Sequence, residues 1–246
     1  YKNLFNKKNS FSPFKILSTF EYTIPNLKKQ KCNISNIYYL GSPLLADNYF
    51  DNCFKKKFEK EFVILFSQSA KNFETRFEGF NEEKNLWTNT GLPINLFDAI
   101  EEIDKSIRLI VRVHPTYKSI NKLESQLEEL SLEKNLCIEI SYSNTLKYDL
   151  YRSDMHITHE SAVLCEASEL GIDTICLSKR LNLKKWIGSE IEEKVVSIIK
   201  NKKEIIKNAI LDKFNKSFEK KIVKEKYRKI YIKRLKTFLK KEITSF

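Results

Sequence analysis

Two groups of residues carry side chains suited to chemistry. His114-Pro115 closes the run IRLIVRVHP (107–115), and Thr158-His159-Glu160-Ser161 lies inside YRSDMHITHESAVLCEASELGIDTICL (151–177). A histidine can donate to a phosphate oxygen and titrates near neutral pH. Proline cannot continue a central strand, so the chain turns at Pro115 and leaves His114 at the strand's end. The second run reads as strand, polar turn, helix, glycine stop and strand. A helix that begins near Ser161 offers free N–H groups and a positive dipole end, which suits an anion. Ser161 and the amide of Ala162 are the natural phosphate ligands there. Glu166, about one and a half turns on, can accept from two ribose hydroxyls, and His159 and Glu160 crowd the same strand end. Plainer readings exist for each: a packed turn histidine, a serine N-cap, a solvated glutamate.

Other candidates are weaker. Ser67 and Gln68 follow an earlier apolar run, where they can meet phosphate or acceptor or simply form a turn. Tyr142 ends another strand and can lie against a base or be an edge aromatic. His156 faces away from His159 by strand alternation and is read as structural. Asp154 is read as a turn cap. The sequence holds no G-x-G-x-x-G, Walker A, H-E-x-x-H or nucleophile-elbow pattern, and no D-x-D motif stands out. No cofactor and no metal are therefore expected.

These residues need a scaffold of alternating strands and helices. The spacing predicts strands over 14–20, 37–40, 61–67, 108–113, 136–141, 156–158 and 174–177. It predicts helices over 22–31, 95–105, 120–130, 145–152, 161–170 and 190–200, with 44–59 helical or loop-like and 70–90 poorly defined. Gly171 stands at the expected C′ position of the 161–170 helix. Strands separated by helices imply right-handed crossovers and a parallel, Rossmann-like α/β sheet with flanking helices. Such sheets bind ligands at the carboxyl ends of their strands. The predicted organisation is 1–40 as the end of an amino-terminal domain or hinge, 41–200 as the nucleotide-sugar-binding domain, and 201–246 as basic amphipathic helices.

The chain has 246 residues and a formal net charge of +12. Residues 201–246 hold 16 Lys/Arg against 5 Asp/Glu, while the first 200 hold 28 against 27. The positive field therefore belongs to the tail. It can pack back on the first domain, lie on an anionic inner-membrane surface, bind nucleic acid or simply be solvated. Nucleic acid is the least expected, because the body is nearly neutral and carries no nucleic-acid motif. Five cysteines without a C-x-x-C pair suggest a reduced, cytoplasmic protein, peripheral on the membrane at most. No apolar leader opens the chain and no run approaches about 18 apolar residues. The first residue is Tyr1 rather than Met, as expected of a fragment or of a trimmed chain.

His114-Pro115 and Ser161-Ala162 together resemble the donor-binding half of GT-B glycosyltransferases. More narrowly, they resemble bacterial sialyltransferases, polysialyltransferases and Kdo transferases, whose His-Pro and Ser-Ser or Ser-Thr motifs hold a cytidine donor's phosphate. Ser161-Ala162 matches the second motif only at its first position. The segment SDMHITHESA (153–162) also resembles a stretch of CDP-glycerol glycerophosphotransferases, and 37–49 resembles the GT-B hinge. The resemblance covers roughly residues 35–180. It implies a metal-independent, inverting transferase of capsule or lipooligosaccharide synthesis, with a CMP-linked sugar donor and a glycan or glycolipid acceptor. A CDP-alcohol-type polyol-phosphate transferase and a non-catalytic nucleotide-binding scaffold are the alternatives. The resemblance places the catalytic base in the amino-terminal domain. Glu21 is the one visible candidate here and is not assigned.

Overall fold

A computed structural model describes residues 16–18, 37–41, 61–68, 86–88, 90–117, 119–159, 161–177, 196–216 and 223–243. The expected helix over 22–31, the helical or loop-like stretch 44–59, most of 70–90, Glu21 and Glu160 lie outside the described residues. Two short strands, β1 (Ile16–Ser18) and β2 (Ile37–Tyr39), pair in parallel as a sheet of their own.

The second sheet has six strands. In chain order its elements are β3 (Phe62–Ser67), α1 (Ile94–Glu101), β4 (Ile107–Arg112), α2 (Ile120–Glu133), β5 (Cys137–Ser141), α3 (Leu146–Tyr151), β6 (Met155–Thr158), α4 (Val163–Glu169), β7 (Asp173–Cys176) and β8 (Val196–Ile198). Helices α5 (Lys203–Lys216) and α6 (Val223–Ile243) follow. The strand order is β5-β4-β3-β6-β7-β8, and every neighbouring pair is parallel. Numbered within the sheet, that is 3-2-1-4-5-6, the order of a doubly wound Rossmann fold. The order reverses between β3 and β6, so the ligand crevice belongs at their carboxyl ends.

The residue pattern explains the layers. β3 reads FVILFS and is buried throughout, as a central parallel strand covered on both faces must be. Its alternate residues divide between two cores. Phe62, Ile64 and Phe66 face Leu96, Phe97 and Ile100 of α1, Leu123 and Leu127 of α2, and Ile206 and Ile210 of α5. Val63 and Leu65 face Leu150, Ala167, Leu170 and Ile172 under α3 and α4. Phe214 of α5 packs tilted on Phe62 at 5.3 Å.

Most predicted elements recur with shifted ends. The helix expected over 161–170 begins at Val163, and Gly171 after it takes φ +68°, the left-handed cap conformation. The helix expected over 190–200 is corrected. Residues 196–198 form β8, hydrogen-bonded beside β7. The run VVSII (195–199) is β-branched except for Ser197, and such side chains suit a pleated edge better than a helix.

Candidate functional site

The carboxyl ends of β4, β3 and β6 lie side by side. β3 is paired through Ser67 with Arg112 of β4 on one flank and with Thr158 of β6 on the other. His114 and His159 therefore leave the sheet on either side of β3, roughly 10 Å apart at two strand spacings. His159 leaves at the switch point between β3 and β6, and His114 leaves one strand away, at the end of β4.

His114 is half-buried and its ring is oriented locally. Its Nδ1 accepts the backbone N–H of Thr116 at 3.2 Å and lies 2.9 Å from the Thr116 hydroxyl. An Nδ1 that accepts an N–H is unprotonated, so the neutral ring carries its proton on Nε2. Pro115 occupies the second position of a turn closed by Tyr117 N–H on the His114 carbonyl at 2.8 Å, which suits its fixed φ. Thr116 was not singled out in the sequence. Its signal was a hydroxyl two residues past a strand-ending histidine, a local hydrogen-bonding distance.

Gln68 is buried and has both ends of its amide committed. The side-chain N–H donates to the Thr90 carbonyl at 2.6 Å, and Oε1 accepts the His114 N–H at 3.2 Å. Its own backbone N–H donates to Arg112 O at 3.0 Å. Gln68 braces the chain that presents His114. Ser67 is also bonded within the sheet. Its buried hydroxyl lies 2.9 Å from His156 Nε2, and its carbonyl accepts the Thr158 hydroxyl at 3.0 Å.

His159 packs into the end of the sheet. It is 1% exposed and meets Trp87 edge-on with ring centroids 4.9 Å apart. Burial pulls its pKa down to about 3, so it is a neutral ring in the wall of the strand end rather than a cation open to solvent. Its carbonyl accepts the Cys176 thiol at 2.8 Å. Trp87 gave no sequence signal, because the region before α1 has no clear period.

On α4, Ser161 Oγ accepts the Val163 N–H at 3.3 Å, so the serine acts as a local cap beside exposed Ala162. Glu166 is half-buried in the first turn. Its Oε2 is shielded from water and has no hydrogen-bond partner. Burial, with the charge of Glu169 added, pushes its pKa up. Tyr142 is 58% exposed just beyond β5, whose last residue accepts the Val113 N–H beside His114. It is open next to the His114 strand end. Asp154 Oδ2 accepts the Val63 N–H at 2.8 Å, capping the start of β3.

His156 is fully buried between Ser67 and Thr174 and, like His159, has its pKa held down to about 3 by burial. An unfolded histidine titrates near pH 6.5. Between roughly pH 6.5 and 3 the unfolded chain therefore binds more protons, and stability falls as pH falls. Urea unfolding across that window should show a slope near 1.4 kcal/mol per pH unit for each histidine. In His156→Phe about half of this slope should vanish. A slope unchanged in that variant would contradict the burial argument.

A second network holds the far end of α4. Tyr39 of β2 donates its hydroxyl to both oxygens of Glu169, at 2.7 and 2.8 Å. Arg234 of α6 lies over the Tyr39 ring at 4.1 Å. Burial and Glu169 push the Tyr39 pKa up, so the phenol stays protonated and keeps donating. Tyr39→Phe should cost about 1.5–3 kcal/mol in thermal or urea unfolding, the value of a hydrogen bond to a charged group.

Among the described residues, no three His, Cys, Asp or Glu side chains cluster to hold a metal, and no helix is long and apolar enough to cross a membrane. No protein-family profile matches the sequence, and no curated protein matches it. Solved structures do match in fold. UDP-GlcNAc 2-epimerase from Neisseria meningitidis, bound to UDP-GlcNAc, aligns with TM-score 0.54 at 11% identity over 87% of this chain and 54% of its own. The glycotransferase of kitacinnamycin aligns with TM-score 0.52 at 12% identity, over 89% and 51%. The wall teichoic acid polymerase TagF, soaked with CDPG, aligns with TM-score 0.50 at 15% identity, over 92% and 57%. The chain spans about half the length of these structures. With its six-stranded doubly wound sheet, it has a GT-B-like α/β fold.

Proposed function

We propose that this chain is the donor-binding part of a transferase that uses a nucleotide-activated sugar, with a CMP-linked donor of the sialic acid or Kdo kind. The observation that carries the reading is His114. It stands at the carboxyl end of β4, one strand from the switch point between β3 and β6, with Nδ1 pinned by Thr116, which leaves Nε2–H as its donor. Such a donor suits the phosphate that departs when an acceptor hydroxyl attacks the anomeric carbon. The sugar–oxygen bond breaks, its electrons pass to the phosphate, and a preoriented N–H stabilises that charge. A donor with one phosphate needs few such contacts. Direct attack inverts the anomeric centre.

The other contacts follow the same logic. The shielded Oε2 of Glu166 lacks a donor, and a pair of ribose hydroxyls would supply one. Tyr142, open beside His114, offers a face to the base. The acceptor would be a glycan or glycolipid of a bacterial surface polysaccharide such as capsule or lipooligosaccharide.

A CDP-alcohol donor is the second reading. Its support is the fold shared with TagF together with the SDMHITHESA segment (153–162). It asks for contacts to two phosphates, which His114 and His159 together would supply. Calorimetric titration with CMP, CDP, UMP and UDP separates the readings. CMP preference supports the first and CDP preference the second. Uridine preference discards both cytidine readings. No binding to any of them refutes a donor site in this chain by itself.

A further inference from the structure

The basic tail is not evenly basic. Helix α6 carries nine Lys or Arg and two Glu. Its inner face is committed to the body. Tyr231 packs against the second core, Phe238 meets Tyr38 edge-on at 4.9 Å, and Arg234 covers Tyr39. Lys241 lies 5.3 Å from the centre of the Tyr38 ring. Those residues recur at helical spacing and fix how α6 is turned about its axis.

The orientation gathers four lysines outside. Lys229, Lys233, Lys236 and Lys240 fall within about 60° of one another around the helix and run roughly 16 Å along it. All four are exposed. Ile230 and Leu239, 37% and 46% exposed, flank the row on either side.

We propose that this lysine row is the surface on which the protein sits against an anionic phospholipid membrane. The row is straight and lies on one convex helix, so all four ammonium groups can meet one plane. Each lysine near an anionic leaflet contributes to attraction. The flanking aliphatic side chains can enter the headgroup boundary without unfolding anything. Nucleic acid fits less well. The described aromatic residues of the helix, Tyr231 and Phe238, are turned inward, so they offer no platform for base stacking. The first 200 residues add almost no positive field. The inference does not rest on the donor reading, because membrane binding requires no nucleotide.

The test is co-sedimentation of the chain with phosphatidylcholine vesicles, with and without phosphatidylglycerol. It is repeated on a variant carrying Lys229→Gln, Lys233→Gln, Lys236→Gln and Lys240→Gln. A control carries Lys105→Gln, Lys122→Gln, Lys200→Gln and Lys202→Gln, which remove the same charge from exposed positions elsewhere. Circular dichroism confirms that both variants fold. The expected result is binding that requires phosphatidylglycerol and fades with salt. Each α6 substitution should weaken partitioning about fivefold, and the four together on the order of 10²- to 10³-fold. The control should lose far less. Equal binding to neutral vesicles, equal loss in both variants, full binding by the α6 variant or no vesicle binding at all would overturn the proposal. So would tighter binding to a single-stranded oligonucleotide than to the anionic vesicles at the same salt.

Discussion

Asp149→Ala should lower the free energy of unfolding by about 3–5 kcal/mol. Asp149 is fully buried and accepts from three donors. Oδ2 receives Arg112 Nη1 at 2.6 Å and the Ser141 hydroxyl at 2.5 Å, and Oδ1 receives Arg152 Nη2 at 3.0 Å. Arg152 is itself buried, bonded to Glu139 at 2.9 Å and stacked 4.5 Å from the Tyr148 ring centre. Removing the carboxylate leaves Arg112 and Arg152 short of a counter-charge in a low-dielectric site, and that imbalance dominates the cost. Arg112 is the last residue of β4, and its carbonyl receives the Gln68 N–H. The variant should therefore also loosen the strand end that carries His114. Urea unfolding measures the first effect, and any nucleotide affinity of the folded fraction measures the second. A loss under about 1 kcal/mol would show that the arginines find other partners or water.

His114→Ala should leave stability nearly unchanged and reduce turnover of a nucleotide-sugar donor about 10²- to 10³-fold, as loss of one preoriented donor does. The side chain is half-buried, and its ring is hydrogen-bonded to Thr116, within its own turn. The backbone bonds to Gln68 and Tyr117 survive the substitution. Thr116→Val is the companion variant. It removes the hydroxyl and keeps the backbone N–H on Nδ1, so its loss should be the smaller of the two. Measuring kcat and KM with a nucleotide-sugar donor for both variants tests the assignment. Unchanged kinetics in His114→Ala would end it.

Much of this architecture can be read from the chain alone. Seven of the eight described strands, the helices between them and the glycine after α4 follow from local periodicity, because a strand or helix repeats its burial every two or 3.6 residues. Pro115 marks a strand end by chemistry that needs no neighbour. The same local rules also mislead: residues 196–198 form β8, although the spacing around them reads as a helix. The edge of β7 decided that.

The site was legible only where it is local. His114 sits at a strand end, as its sequence neighbours require. The roles of Ser67, Gln68 and His159 depend on His156, Thr90 and Trp87, which approach them from other elements. Tyr39 and Glu169 stand 130 residues apart, so no window of sequence contains both. A polar residue at a strand end can bind a ligand or satisfy a buried neighbour, and its identity is the same in either case. The sequence by itself determined the class of fold, the turn at His114-Pro115 and the concentration of positive charge near the carboxyl end. Only the tertiary structure decided which polar groups are spent on one another and which lysines share a face. Those outcomes depend on strand order and on how each helix is turned, both set by packing between residues far apart in the chain.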